Sequence, residues 1–248
     1  MILELDLGNT YCKWRILDKN GLVPSRGLGE RQHWLQGVFP NEWGDAISEV
    51  KVASVLGDAI EQELNLQLSQ RLACPVRWAR SSQNCAGVRN AYPSPERLGV
   101  DRWLAAVAAY QKARRAVLVC DIGSALTIDL VDRNGLHRGG YIIPGPRLMV
   151  GALLTSTDRV RFAESDLGIE LDPGSDTGTC VGNGVTIAMT GAVMVALRRA
   201  EIMLQEPVAV YLSGGYRQSL KSHLRAMGLS GTHSEADLVL DGLRWALP

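Results

Sequence analysis

The chain has 248 residues, enough for one large domain or for two of about 115–135 residues each. Lys plus Arg number 26 and so do Asp plus Glu, so no net charge draws it to nucleic acid or to a membrane surface. Hydrophobic residues are 46% and charged ones 21%, which excludes a disordered chain and allows a core of ordinary size.

Residues 1–6 and 12–17 read as strands, and Asn20-Gly21 is the tight-turn signal before a third. Arg31 to Val38 is a short helix candidate, and Lys51 to Val55 a short buried strand. Asp58 is expected to cap a helix through Leu72, in which Ile60, Leu64, Leu68 and Leu72 recur every four residues. Pro75 stops that helix and Val76 to Ala79 starts another strand. This β-β-β-α-β-α-β order is that of a ribonuclease-H-like unit. Gly87 to Pro93 is a loop by composition. Ser94-Pro95 reads as an N-cap followed by proline at the first helical position, opening a helix to about Arg114. Within it Asp101 shares a face with Ala105 and Ala108, small residues that leave room beside an acid.

An apolar run from Ala116 then ends on Asp121, followed by Gly123, Ser124 and a second run to Asn134-Gly135. The chain opens the same way. Asp6 and Asp121 lie 115 positions apart, as do Gly8 and Gly123, while Gly21 and Gly135 lie 114 apart. One residue has been lost between the two copies. The pattern predicts a duplicated α/β unit with its halves facing across a cleft, 1–114 and 115–248.

Gly139-Gly140 before Tyr141 to Gly145 suggests close approach of backbone to a neighbour or ligand. Residues 151–176 are expected to form a mobile loop with little helix. Val185 to Leu204 is a helix apolar nearly all round, to be buried between domains or in a subunit contact; its uncharged part ends at Leu197, too short to span a bilayer. Val208 to Leu212 is a strand running into Ser213-Gly214-Gly215, Arg217 to Met227 is a helix, and 236–243 is read as a short strand and a final helix.

The five cysteines are scattered and never spaced as Cys-x-x-Cys, and the four histidines have no zinc-ligand spacing. Reduced thiols, with no basic-then-apolar leader before the first strand, predict a cytoplasmic protein.

Asp6-Leu7-Gly8-Asn9-Thr10 with Lys13 combines an acid, little-covered amides, a hydroxyl and an ammonium, the set that a nucleotide phosphate with Mg²⁺ requires. A polar turn is the ordinary alternative; the second copy around Asp121 and Ser124 favours phosphate. Gly99-Val100-Asp101-Arg102 is either a surface ion pair or a base beside an anion-binding fork. Ser213-Gly214-Gly215 offers a cradle for a purine or phosphate, or a plain strand-to-helix turn.

Taken together, these stretches resemble the type III pantothenate kinases. The motifs that carry the resemblance are Asp6-x-Gly8-Asn9-Thr10, Gly87-x-x-Asn90-x-Tyr92, Leu98-Gly99-x-Asp101-Arg102-Trp103, Asp121-x-Gly123-x-Ala125-x-Thr127, Gly139-Gly140-Tyr141-Ile142-x-Pro144-Gly145, Thr177 and Ser213-Gly214-Gly215. The resemblance implies the duplicated ribonuclease-H-like fold of actin, sugar kinases and seventy-kilodalton heat-shock ATPases. It implies ATP-dependent phosphorylation of pantothenate, the first step of coenzyme A biosynthesis, by a cytoplasmic homodimer with no nucleic-acid or membrane partner. Asp101 would be the general base, and Tyr92, Gly99, Val100 and Arg102 the pantothenate pocket, completed by Thr177 of the other subunit. Asp6 to Lys13 and Ser124 would hold ATP, Asp6 also meeting Mg²⁺, and Asp121 would bind a monovalent cation, K⁺ or NH₄⁺. Two positions depart from the family pattern: Ser124 stands for a threonine, and Tyr216 for the acid common after the paired glycines, which leaves the nucleotide-base contacts open. The alternative is a non-catalytic protein of the same fold that binds nucleotide or pantothenate; a sugar kinase or heat-shock-type ATPase would need a longer chain.

Overall fold

A computed structural model of the protein describes residues 1–44 and 46–248. It divides into two compact units, Met1–Ala108 with Asp237–Pro248, and Ala109–Ala236.

The first unit holds β1 (Ile2–Leu7), β2 (Tyr11–Leu17), β3 (Ser25–Glu30), α1 (Arg31–Leu35), β4 (Glu49–Ser54), α2 (Asp58–Leu72), β5 (Val76–Trp78) and the two-residue strands β6 (Asn84–Cys85) and β7 (Val88–Arg89). After a 3₁₀ turn at Pro95–Arg97 comes α3 (Val100–Ala113), whose end passes into the second unit. There follow β8 (Val117–Ile122), β9 (Ala125–Val131), β10 (His137–Pro144), α4 (Pro146–Ser156), α5 (Thr177–Leu204), β11 (Ala209–Ser213), α6 (Arg217–Ala226) and β12 (His233–Ser234). The last helix, α7 (Leu238–Ala246), belongs to the first unit.

Each unit is built on a five-stranded sheet, and the two strand orders are the same, β3-β2-β1-β4-β5 and β10-β9-β8-β11-β12. The copies agree in detail. Asp18 Oδ1 accepts from Asn20 N and Leu22 N, and Asp132 Oδ1 accepts from Asn134 N and Leu136 N. Gly21 and Gly135 then sit at φ +76° and +78°, the left-handed backbone for which glycine carries no side-chain penalty. The missing residue lies in the first bend of the second copy, where Asp121 pairs with Thr127 and Asp6 with Lys13.

Alternation decides what each face covers. Leu3, Leu5 and Leu7 point with Trp14 and Ile16 into a core shared with Leu64, Leu68 and Leu72 of α2. Glu4 and Arg15 lie on the other face, joined at 2.6 Å, and Arg15 Nη1 also donates to Asp241 of α7 at 2.7 Å. Lys51 Nζ donates to Leu247 O, and Arg77 Nη1 to Pro248 O at 2.9 Å. These contacts tie α7 to the first sheet, so the twelve residues from Asp237 depart from the division drawn at 114/115. In the second unit Leu118, Cys120, Ile122, Leu126 and Ile128 pack on Met189, Val193 and Leu197 of α5 and Leu220 and Leu224 of α6.

Several boundaries differ from the sequence reading. Gly57, not Asp58, is the N-cap of α2. Ser94-Pro95 opens only the 3₁₀ turn; Leu98 is extended and buried, and the helix restarts at Val100. The segment read as a loop contains the end of α4, entered by Gly145 at the N-cap and Pro146 at the first helical position. Beyond α4 the chain is irregular but tied down, since Asn183 donates to Asp172 O and accepts from Glu170 N. α5 starts eight residues before Val185 and has 28 residues, so it is long and apolar enough to cross a membrane, with mean hydropathy 1.7 in its most apolar stretch and 44% of that stretch buried inside the protein. Residues 238–246 are helical throughout, and the strand before them is the short β12.

Candidate active site

The predicted site residues fall into four groups. The first is the β1–β2 bend. Asp6 and Lys13 are direct cross-strand partners, so their side chains share the face that carries Glu4 and Arg15 further along. Gly8 N donates to Tyr11 O at 3.1 Å, and a Cβ at Gly8 would lie 2.8 Å from that oxygen. The bend is therefore tight, with exposed Asn9 and Thr10 at its tip. Cys12 lies buried behind it; burial, and next the charge of Asp6, push its thiol up to about 12.

The second group is the β8–β9 bend. Asp121 is the penultimate residue of β8, between Thr127 and Ser213 of its neighbours, and Ser124 is exposed at the turn. Gly123 N donates to Ala125 O at 2.9 Å, and Gly145 N to Ser124 O at 2.9 Å. Two glycines clasp this bend. A Cβ at Gly145 would stand 2.3 Å from Gly123 O, and one at Gly214, where φ is +87°, 2.3 Å from Ile122 O. Tyr216 N also donates to Ile122 O. Beside the bend opens a cavity of about 400 Å³, lined by Ile122, Pro146, Phe162, Met189, Tyr216 and His223 among others.

The third group is the junction of a loop with α3. Arg102 is buried, 7% exposed, and its Nη1 donates to the Tyr92 hydroxyl at 3.2 Å. Asp101 Oδ1 accepts from Arg102 N at 2.7 Å, which holds the carboxylate against the start of the helix. Gly99 sits beneath that oxygen, 2.7 Å from where its own Cβ would be. Val100 is buried and anchors the turn. A guanidinium with a phenol beside it is a fork for a planar anion, and the adjacent carboxylate is a proton acceptor.

The fourth is Thr177, exposed at the first position of α5. Asp176 caps the helix by accepting from Thr179 N at 2.9 Å, and the same hydrogen bonds lower its carboxyl pKa.

Tyr92, Gly99, Val100, Asp101 and Arg102 thus come together at one junction, which shares the first unit with Asp6 to Lys13; Asp121, Ser124 and Thr177 lie on the second. Sequence reasoning gave no role to Gly145 or to the buried Asn90, whose Oδ1 accepts from Tyr92 N at 3.0 Å, and it read Gly214 only as part of a cradle or turn, not as a clasp on the second bend. Gly145 was readable as the residue before a helix-opening proline. Among the described residues no group of three or more His, Cys, Asp or Glu side chains is placed to hold a metal.

A family described as type III pantothenate kinase matches residues 2–199. A type III pantothenate kinase from Pseudomonas aeruginosa (strain LESB58) is 35% identical over 251 aligned residues, covering 100% of this chain and 99% of that protein. Another, from Azotobacter vinelandii, is 36% identical with the same coverage. Among solved structures, a Baf family protein from Campylobacter jejuni superposes with TM-score 0.61 at 19% identity, covering 98% of this chain and 95% of that one. A ROK family glucokinase from Streptomyces griseus gives 0.54 at 13% identity, covering 98% and 97%. At these identities the two structures share the fold, the duplicated ribonuclease-H-like ATPase architecture.

Proposed function

From the premise that this chain belongs to the type III pantothenate kinase family, we propose that Asp101 is the base and Arg102 with Tyr92 the anion fork of its reaction. The reaction is the family's: ATP-dependent phosphorylation of pantothenate to 4'-phosphopantothenate, the first step of coenzyme A biosynthesis. One observation carries the assignment. Adjacent residues at one helix start supply a carboxylate and a buried guanidinium, and the guanidinium donates to the Tyr92 phenol of the preceding loop.

Pantothenate has a carboxylate at one end and a primary alcohol at the other. The Arg102–Tyr92 fork takes the carboxylate, with Gly99 and Val100 shaping the wall and Thr177 of a second subunit closing it. Asp101 accepts the proton of the alcohol; the oxygen bonds to the γ-phosphorus of ATP, and the bond to the β-phosphate oxygen breaks, releasing ADP. Phosphoryl transfer depends on positioning and charge neutralisation more than on covalent chemistry by the protein. Asp6, Leu7, Gly8, Asn9, Thr10 and Lys13 contact the phosphates at the first bend, and Ser124 at the second. The cavity beside the second bend takes the nucleoside, with Tyr216 at its wall.

Asp6 would meet Mg²⁺ brought in on the phosphates, and the ion would supply neutralisation of their charge. Asp121, a single carboxylate beside a turn, is the donor set for a loosely held monovalent cation, K⁺ or NH₄⁺. A homodimer is supported by exposed apolar side chains along α5, Ile187, Val195 and Ile202, and by Leu148 and Leu153 of α4. The reading needs only pantothenate and ATP as small-molecule partners and is that of a cytoplasmic enzyme.

The test is turnover of ATP with pantothenate by the parent and by Asp101→Asn, in matched K⁺, NH₄⁺ and Na⁺ salts. Loss of the base should lower kcat by about 10²–10⁴-fold. Near-normal turnover of Asp101→Asn would remove Asp101 from the mechanism, and equal rates in all three salts would remove the cation from Asp121.

A further inference from the structure

Asn90 is 3% exposed although it lies in a surface loop. Its amide is a junction of three segments: Nδ2 donates to Ser82 O and to Pro95 O, each at 3.3 Å, and Oδ1 accepts from Tyr92 N at 3.0 Å. Its main chain is held as well, with N donating to Gln83 O at 2.9 Å and O accepting from Gln83 Nε2 at 3.1 Å. The pair Gln83–Asn90 therefore closes the base of the β6–β7 hairpin and fastens it to the 3₁₀ turn that leads into α3. Both donors and the acceptor of the side chain are in use, which only an amide of this length can supply.

A buried, hydrogen-bonded asparagine can serve structure alone. What singles this one out is where its acceptor goes. It fixes the backbone of Tyr92, and the Tyr92 hydroxyl is the group that receives Arg102 Nη1 at 3.2 Å. We propose that Asn90 is a positioning residue for pantothenate: it presets the phenol against the Arg102 guanidinium, so that the fork stands ready before the carboxylate arrives. The inference rests on the Tyr92–Arg102 pocket proposed above. Preorganisation of this kind acts on substrate affinity, because an unbraced loop would have to be ordered at each binding event. It should leave the ATP side and the proton transfer nearly unchanged.

The experiment compares Asn90→Asp, Gln83→Ala, Tyr92→Phe and the two double variants with Tyr92→Phe. It measures KM for pantothenate, KM for ATP, kcat and melting temperature on the full-length protein. Asn90→Asp is isosteric and keeps the acceptor for Tyr92 N, but replaces the one nitrogen that makes both donations with an oxygen facing the Ser82 and Pro95 carbonyls. It should raise KM for pantothenate about tenfold, with kcat and KM for ATP within about threefold. Exposed Gln83→Ala should raise it about two- to threefold. In the Tyr92→Phe background both effects should shrink to less than about twofold, since coupled residues do not add. A change confined to melting temperature, or a full tenfold effect persisting without the Tyr92 hydroxyl, would overturn the inference. Should Asn90→Asp not fold, the Gln83–Tyr92 cycle gives the same decision. If Tyr92→Phe raises KM and the brace variants do not, the role of Asn90 alone falls. If Tyr92→Phe itself leaves KM unchanged, the pocket falls and this inference with it.

Discussion

Replacing Gly99 with alanine should separate the chemistry from the fold. The new Cβ would stand 2.7 Å from Asp101 Oδ1, with its next neighbours, Arg102 Cδ and Cγ, at 3.8 and 3.9 Å. The first distance is roughly 0.5–1 Å short of ordinary contact, and the others are comfortable. The atom that must give way is therefore the end of one side chain, the carboxylate assigned as base. Gly99 has no left-handed backbone to lose, so alanine fits its conformation and even restricts the unfolded chain. Stability should change by less than about 1 kcal/mol. Rate should not escape so lightly, because the 2.7 Å hydrogen bond from Arg102 N must stretch or break when the carboxylate moves. A misplacement of about 1 Å costs on the order of 10²-fold, so we expect kcat to fall by about 10–100-fold. Coupled measurement of ADP release gives kcat, and thermal melting reports the fold. A folded variant with kcat within about twofold of the parent would refute the reasoning.

Arg15→Met should cost about 3–5 kcal/mol in urea unfolding, because Glu4, 1% exposed, loses the guanidinium 2.6 Å away and α7 loses a tie through Asp241. Burial already pushes the Glu4 carboxyl up, so in the variant its folded pKa rises further. The deficit should be full at neutral pH and shrink as pH falls toward the unfolded carboxyl value; a deficit independent of pH would count against it. Cys12 and Cys120, both buried with raised pKa values, should resist iodoacetamide at pH 8 until the chain is unfolded, as read by mass spectrometry; labelling in the native protein would show that these cores open. Light scattering at low micromolar concentration should give a dimer mass for the parent and a monomer for Val195→Glu, whose parent side chain is 63% exposed; a fully active monomeric parent would sink the shared site.

What the sequence made legible was local. Asn20-Gly21 and Asn134-Gly135 announce left-handed turns because only the next few residues decide them. The Asp-x-Gly spacing of the two bends survives duplication for the same reason. The failures share a cause too: a partner distant in sequence. Thr177 to Gly184 is glycine-rich and looks like loop, yet Gly178 and Gly182 are inside α5 because a Cβ at either would strike Asp166 O or Gly168 O of the segment crossing the helix. Close packing there overrides the helix cost of glycine. The 236–243 stretch reads as a short strand and a final helix, yet Leu238–Ala246 is all helix, packed so closely on α3 that a Cβ at Gly242 would lie 2.4 Å from Leu104 O. At the site, Asp101 and Arg102 are adjacent and were readable, whereas the clasp of Gly145 and Gly214 on the second bend joins residues over 20 and 90 positions apart.

The duplication also shows where the two copies ceased to be equivalent. In the first, the acid next to the end of the central strand faces a lysine across the sheet, Asp6 to Lys13; in the second it faces a threonine, Asp121 to Thr127. The first bend is one residue longer and carries its polar groups exposed at the tip, while the second is shorter and pinned by glycines on both sides. One scaffold thus yields a bend that brings its own positive charge and a bend that brings shape. Phosphate charge at the first can be met by Lys13. At the second, neither register neighbour of Asp121, Thr127 or Ser213, carries a positive charge. That asymmetry, visible in the register of two strand pairs, fits the monovalent cation proposed at Asp121. It also explains why the effect of K⁺ should vanish in Asp121→Asn while that variant keeps the fold of the bend, whose backbone bonds do not involve the carboxylate.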